Sequence, residues 1–374
     1  MTNISDRSKL SFGSNVYPYS VISSNQQSPA NTIKIGVIGY GYWGPNLVRS
    51  FAELSGAEVV AVSDFNVERL SNVQSRYPAV KVTTNSQDLF ADPTIDAIAI
   101  ATPVSTHFDL ALAALQAGKH VLVEKPMTVN SQQAITLIEE AKRRNLVLMV
   151  DHTFVYTGAV RKMRELVANK TVGDIYYYDS VRVNLGLFQH DVNVLWDLAV
   201  HDLSIMDYVL QSEPYAVSAT GISHVPGEPE NIAYLTLFFE NNLIAHIHAN
   251  WLAPVKVRRT LLGGSQKMIC YDDLEPSEKV KVYDKGITVN GSSSEKMYQM
   301  LVGYRTGDMW APKLDMTEAL QTEASHFIHC IQQGDRPITD GEAGLRVVKI
   351  LEAATQSMKK QGGLVELNTA RLAA

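Results

Sequence analysis

The stretch Ile33-Lys34-Ile35-Gly36-Val37-Ile38-Gly39-Tyr40-Gly41-Tyr42-Trp43-Gly44 decides the fold. An apolar run bounded by glycines reads as a buried parallel strand, and a helix begins as it ends. Gly39, Gly41 and Gly44 fit G-x-G-x-x-G, with Tyr42 and Trp43 carried on the same turn. The first glycine allows a tight turn, the second lets the backbone approach a pyrophosphate, and the third brings helix and strand close. The helix N-terminus turns free N–H groups and a positive dipole end toward the phosphates. The next strand, Glu58-Val59-Val60-Ala61-Val62-Ser63-Asp64, ends in an acid where one is expected to bind the adenosine ribose hydroxyls. That carboxylate would repel the 2′-phosphate of NADP, and Phe65 and Asn66 offer no cation, so NAD is expected over NADP. Arg69, nearby on the helix, works against that preference.

Outward from this stretch, strand and helix alternate. Strands are expected at Ile33–Gly39, Glu58–Asp64, Val80–Thr83, Ala97–Ala101, His120–Glu124 and Val147–Asp151, with helices Gly44–Leu54, Val67–Tyr77, Ser86–Phe90, Thr106–Ala117 and Ser131–Arg144 between them. Gly118 stands where a C-cap glycine belongs, and Ser131 reads as an N-cap. The alternation implies an α/β doubly wound parallel sheet over residues 32–151, with its ligand site at the C-terminal ends of the strands. Beyond Asp151 the pattern changes to long strand-like runs between Asp174 and Tyr283, interrupted by a helix at Ala199–Leu210 and preceded by one at Gly158–Asn169. Helices Asp315–Gln333 and Glu342–Gln361 follow, the second opened by the capping box Thr339-x-x-Glu342. Residues 152–374 therefore read as an α+β domain with a large, mainly antiparallel open sheet. Residues 1–31, rich in Ser, Asn and Gln, read as a tail, with docking of Val16-Tyr17-Pro18-Tyr19 elsewhere as the other reading.

Of 374 residues, 45% are hydrophobic and 19% charged, and the net charge of −6 comes without a strongly basic block. Nothing there calls for nucleic acid or a membrane surface. No apolar stretch reaches membrane-spanning length, and no secretory segment opens the chain, so a cytoplasmic location is expected. Cys270 and Cys330 lack metal-ligand spacing, and no metal centre is expected. They read as small apolar residues, with a lone disulfide as the alternative.

Three stretches carry residue types suited to chemistry. Ala101-Thr102-Pro103 ends the fourth strand before Ser105-Thr106-His107. It would let the nicotinamide half of a cofactor pass close to the backbone, or it is loop punctuation. Glu124-Lys125-Pro126 ends the fifth strand at the cofactor edge, where a lysine beside a nicotinamide can transfer the proton of an alcohol. A cis bond at Pro126 would aim that lysine. Asp197 and His201, in Trp196-Asp197-Leu198-Ala199-Val200-His201-Asp202, are spaced i, i+4 and share a face if this turn is helical. A carboxylate there can orient a substrate, and imidazole suits proton transfer near neutrality. An amphipathic helix with a core-facing histidine is the plainer reading.

Together these pieces resemble the glucose–fructose oxidoreductase, inositol dehydrogenase and rhizopine-catabolism protein family of NAD(P)-dependent sugar oxidoreductases. The matches are Gly39, Gly41 and Gly44 to its glycine turn, Glu124, Lys125 and Pro126 to its Glu-Lys-Pro, and Asp197 and His201 to its Asp-x-x-x-His. The resemblance spans about residues 33–367. It implies a Rossmann domain plus an α/β domain whose open sheet forms dimers or tetramers. It also implies Lys125 and His201 as proton-transfer residues and Asp197 as a substrate contact. There are departures: His190-Asp191-Val192-Asn193-Val194-Leu195 replaces a glycine run, and Val155-Tyr156-Thr157-Gly158 stands where many members have Arg-Phe-x-Pro. Both lie near the expected pocket. The stretch from Val183 to Asp191 is similar to versions found among bacterial surface-polysaccharide and sugar-nucleotide enzymes.

The expected function is NAD-dependent transfer of a hydride between nicotinamide and a secondary hydroxyl of a sugar, nucleotide-linked or a sugar acid, as a dehydrogenase or ketoreductase. Bound glycine-turn residues, Asp64, Thr102, Pro103, His107, Glu124 and Lys125 form the expected cofactor site. Tyr304 and Arg305, with Asp308, sit in a polar loop and are expected substrate contacts or plain surface, as are Arg161 and Lys162. Transient oxidation that cleaves a glycosidic bond, and a non-catalytic sugar or dinucleotide sensor, are the competing functions.

Overall fold

The computed structural model describes residues 32–186, 190–289 and 302–367, with backbone alone for 286–289 and 302–304. The tail lies outside the described residues. Six strands form the first sheet: β1 (Ile33–Ile38), β2 (Ala57–Ser63), β3 (Lys81–Thr83), β4 (Ala97–Ile100), β5 (His120–Glu124) and β6 (Leu148–Asp151). Their helices are α1 (Gly44–Ala52), α2 (Val67–Arg76), α3 (Gln87–Ala91), α4 (His107–Gln116) and α5 (Ser131–Arg144). The order is β3-β2-β1-β4-β5-β6 and every pair is parallel. Helices cover both faces, which is why β4 is buried at every position and shows no alternation. Gly118 follows α4 with φ +79°, the left-handed step that a glycine supplies at a helix end. Ser131 is not the cap of α5: the Asn130 side chain accepts from the Gln133 N–H, and Ser131 is the first helical residue.

The second half contains α6 (Gly158–Ala168), β7 (Ile175–Leu185), α7 (Val200–Leu210), β8 (Ala216–Ile222), β9 (Ile232–Phe238), β10 (Ile244–Asn250), β11 (Leu252–Gly264), β12 (Met268–Asp272), β13 (Val280–Tyr283), β14 (Gly286–Val289), β15 (Val302–Arg305), β16 (Met309–Trp310), α8 (Ala319–Gln333), α9 (Gly341–Lys359) and β17 (Val365–Glu366). Nine strands join in the order β16-β13-β12-β11-β7-β10-β9-β8-β17, while β14 and β15 pair separately. One pair, β7 with β10, is parallel and the others are antiparallel. Ala233, Leu235, Leu237, Ala245, Ile247 and Ala249 share the core face with residues of α7 and α9. Tyr234 and Ile244 alternate with them and are exposed on the other face.

Three local readings change. The segment 303–308 is not a loop throughout, because 302–305 form β15. Asp340, not Thr339, caps α9 by accepting from the Ala343 N–H. Thr339 instead donates to the Val150 carbonyl and meets the Tyr156 hydroxyl, drawn there by the bridge between Met149 and Asp340. Helix α8 starts at Ala319, since the Asp315 carboxylate binds Thr317 N–H and hydroxyl ahead of it. This helix returns to the first sheet, where Leu320, Ala324 and Phe327 join the core beneath Val48 and Phe51 of α1. Both cysteines are free and buried, and among the described residues no helix is long and apolar enough to cross a membrane.

Candidate active site

The glycine turn joins β1 to α1 at the C-terminal edge of the parallel sheet. Gly39 has φ +94°, and a Cβ there would strike the Ala101 carbonyl; a Cβ on Gly44 would strike the Gly39 carbonyl. A Cβ on Gly41 would meet only the Arg69 guanidinium, 3.6 Å away, so the outer side of the turn is open. Tyr42 and Trp43 project there, the first 84% exposed, in an edge-to-face pair. Asp64 closes the turn: one carboxylate oxygen accepts the Tyr40 N–H at 2.6 Å and the other accepts the Asn66 N–H at 2.8 Å. The Arg69 guanidinium stands 3.5 Å from the same carboxylate. A tight turn, an open side and an acid at the second strand fit a dinucleotide.

Thr102 and Pro103 follow β4, with Pro103 exposed at the head of a short 3-10 turn. His107 does not face that space. It is 1% exposed, and its ring nitrogens lie 2.8 Å from the Thr102 and Pro126 carbonyls, leaving none for a cofactor. The imidazole braces two loops against each other, and burial lowers its pKa.

The Lys125–Pro126 bond is cis. The Lys125 amine donates to the Asp197 carbonyl at 3.0 Å and to its carboxylate at 3.3 Å. The other Asp197 oxygen accepts from the Trp251 indole at 3.0 Å. Asp197 lies in a π-helical turn, Leu195–Ala199, and His201 in the first turn of α7. Wider π turns recur where side chains must be re-aimed. His201 is half-buried, its Nδ1 has no hydrogen-bond partner among the described residues, and its ring meets Phe154 edge-on at 4.9 Å. Burial first, then the nearby Lys125, Arg182, His152 and Arg258, hold its pKa well below the ordinary imidazole value. The ring is therefore neutral at pH 7, with a lone pair available to a proton. Amine, carboxylate and neutral imidazole, brought together from β5, the π turn and α7, are a set able to move a proton to or from an alcohol.

Glu124, expected at the cofactor site, is 7% exposed, and beside it stand Asp151, His152 and Glu323, which had no signal of their own in the sequence. Glu124 accepts the Lys125 N–H at 3.1 Å, so its carboxyl serves that backbone. It lies across from Asp151 in the β5–β6 register, and Glu323 of α8 completes a buried trio of carboxyls. Burial and then the Asp151 charge raise the pKa values of Glu124 and Glu323 well above the carboxylate range. His152, after β6, is buried with neither ring nitrogen bonded among the described residues, and burial and Lys125 lower its pKa to about 3. Each of these alone reads as a strand-end or helix polar residue.

Arg305 is placed elsewhere. Its guanidinium binds Asp284 and the Gln266 carbonyl, at the end of β11 opposite Trp251. It is a brace of the β12–β13 edge, and the expected substrate contact is withdrawn. For Tyr304 the backbone in β15 alone is described. Arg161 approaches Asp315, and Lys162 pairs with Glu165 on the surface of α6.

Comparison with known proteins agrees with this geometry. Residues 33–152 match the oxidoreductase family described by its NAD-binding Rossmann fold, and residues 160–270 match the Gfo/Idh/MocA C-terminal domain. A UDP-N-acetylglucosamine 3-dehydrogenase from Acidithiobacillus ferrooxidans is 30% identical over 84% of this chain and 94% of that protein. A solved structure of that dehydrogenase superposes with a TM-score of 0.75 at 25% identity, covering 88% of this chain and 98% of that one. A myo-inositol 2-dehydrogenase from Thermotoga maritima is 25% identical over 88% of this chain and 97% of that protein. The glycine turn with its acid at β2, and the paired sheets behind it, therefore belong to an NAD-binding oxidoreductase, and the chain is a member of the Gfo/Idh/MocA family.

Proposed function

We propose that the chain oxidises a secondary hydroxyl of a sugar, carried on a nucleotide or as a sugar acid, with NAD as hydride acceptor. The observation that carries this reading is the Lys125 amine held 3.3 Å from the Asp197 carboxylate beside a neutral His201. The names of two relatives, dehydrogenases of a UDP-sugar and of an inositol, support the substrate class. NAD, when bound, supplies the hydride acceptor. His201 takes the hydroxyl proton, the Lys125 ammonium holds the oxygen as charge builds on it, and Asp197 fixes the amine and the sugar. The test is a panel of UDP-sugars and free sugar acids with NAD+. Net NADH formation supports the reading. Release of the nucleotide or aglycone without net redox change would make the protein a glycosidase, and no turnover with retained ligand binding would make it a sensor.

Asp64 is the proposed discriminator between cofactors. Asp64→Ala is expected to weaken NAD+ about 10–100-fold, the worth of bonds to a charged acceptor, and to improve NADP+ relative to NAD+ as Arg69 loses its partner. Titration of both dinucleotides by intrinsic fluorescence measures this; an unchanged ratio rejects the role. The face of the nine-stranded sheet opposite α7 and α9, with Ile222, Tyr234 and Ile244 exposed, is the inferred contact of a homodimer or homotetramer. Sedimentation at micromolar concentration is expected to show no monomer, and a monomer there rejects it.

A further inference from the structure

His201 stands in a turn tied down by side chains of β7 and flanked by Phe154. The next residue, Asp202, accepts from the Arg182 Nε at 2.6 Å, from its Nη2 at 3.4 Å and from the Ser180 hydroxyl at 2.6 Å. The Asp202 carbonyl accepts from the Tyr178 hydroxyl at 3.2 Å. Tyr178, Ser180 and Arg182 alternate along β7, so one pleated face ties the first turn of α7 to the sheet. The Arg182 guanidinium then lies over the Phe154 ring, 4.5 Å from its centre. Arg258, directly opposite Arg182 in β11, approaches the same ring at 5.5 Å. Phe154 in turn presses on the His201 imidazole. Arg182 is 2% exposed, and its Nη1 has no acceptor among the described residues, so the ring face takes the place of a hydrogen bond there.

We propose that Arg182 is a positioning residue for the reaction, fixing the His201 imidazole through Asp202 behind it and Phe154 beside it. This rests on the reading that His201 takes part in proton transfer. Neither contact is replaceable by a charge alone. Lysine keeps the positive charge but has no planar fork for Asp202 and no flat face for Phe154.

The test compares Arg182→Lys and Phe154→Leu in the full chain. In protein with 15N-labelled histidine, the His201 ring resonances are those missing from His201→Gln. Both variants are expected to shift or broaden these resonances. Turnover on the best UDP-sugar of the panel should fall about tenfold, with KM and NAD+ affinity within about twofold. Phe154→Leu keeps the buried ion pair, so the proposal stays testable if Arg182→Lys does not fold. Unchanged His201 resonances in the folded variants overturn the proposal, whatever happens to yield or melting temperature. So does an altered resonance with parental turnover. Failure of the underlying reading looks different: His201→Gln would then turn over like the parent.

Discussion

Lys125→Met is expected to lower turnover by about 10²–10³-fold while leaving NAD+ affinity nearly unchanged, the range for losing one donor to an oxygen on which charge develops. Methionine is the informative choice because Lys125 is 13% exposed and its stem is packed. A flexible thioether of similar length fills that channel without asking for a new cavity. What disappears is the ammonium, and with it two bonds to Asp197. The Asp197 carboxylate keeps the Trp251 indole, so the π turn retains one anchor. The loss should therefore appear in kcat and kcat/KM together, as for a group whose interaction matters mainly in the transition state. NAD+ binding, read from tryptophan quenching, and the thermal midpoint control for damage to the fold. Turnover within tenfold of the parent, on whichever sugar the panel identifies, would remove Lys125 from the chemistry.

The reach of the sequence follows the range of the forces involved. The β1 run, the glycine turn and the strand–helix alternation are local patterns, and the structure returns them within a residue or two at most ends. Cap choices at Asn130 and Asp340 escaped because two competent cap residues stand side by side. Neighbours far along the chain decide between them, as when Val150 recruits Thr339. Lys125, Asp197 and His201 became legible as a set through family resemblance, since a Lys-Pro and an i, i+4 pair mean little separately. Arg305 reads as a polar loop residue until Asp284 and Gln266 are seen to claim it. Arg182, in a strand that alternates polar and apolar residues, looks solvent-facing by pattern. It is buried because Asp202 compensates its charge, a match between β7 and α7 that periodicity does not encode. Glu323 is hidden for a similar reason: a glutamate on an amphipathic helix reads as surface until α8 docks on the first sheet.

That docking leads to the second large expectation, that Glu323→Gln makes the protein more stable as pH rises. Glu323 is fully buried, Asp151 is its carboxyl neighbour, and Asp151 also faces Glu124. Burial and then the Asp151 charge favour the protonated carboxyl, so folded Glu323 retains a proton that the unfolded chain has released above about pH 4.5. Between that value and the raised folded pKa the unfolded state binds fewer protons, and stability falls with rising pH by about 1.4 kcal/mol per pH unit for each such group. Below the ordinary carboxyl range the Glu323 contribution is fully present. Glutamine has the same shape and can donate an amide N–H to Asp151 without holding a titratable proton. The variant should therefore track the parent near pH 4 and pull ahead of it through pH 6, 7 and 8 in urea unfolding. His152 and His201 act in the opposite direction: both are neutral when folded, so they cost stability as pH falls below the ordinary imidazole value of about 6.5. That acid limb is common to both proteins and cancels in their difference, which isolates the carboxyl. Parallel stability–pH curves would mean that Glu323 holds no proton in the fold.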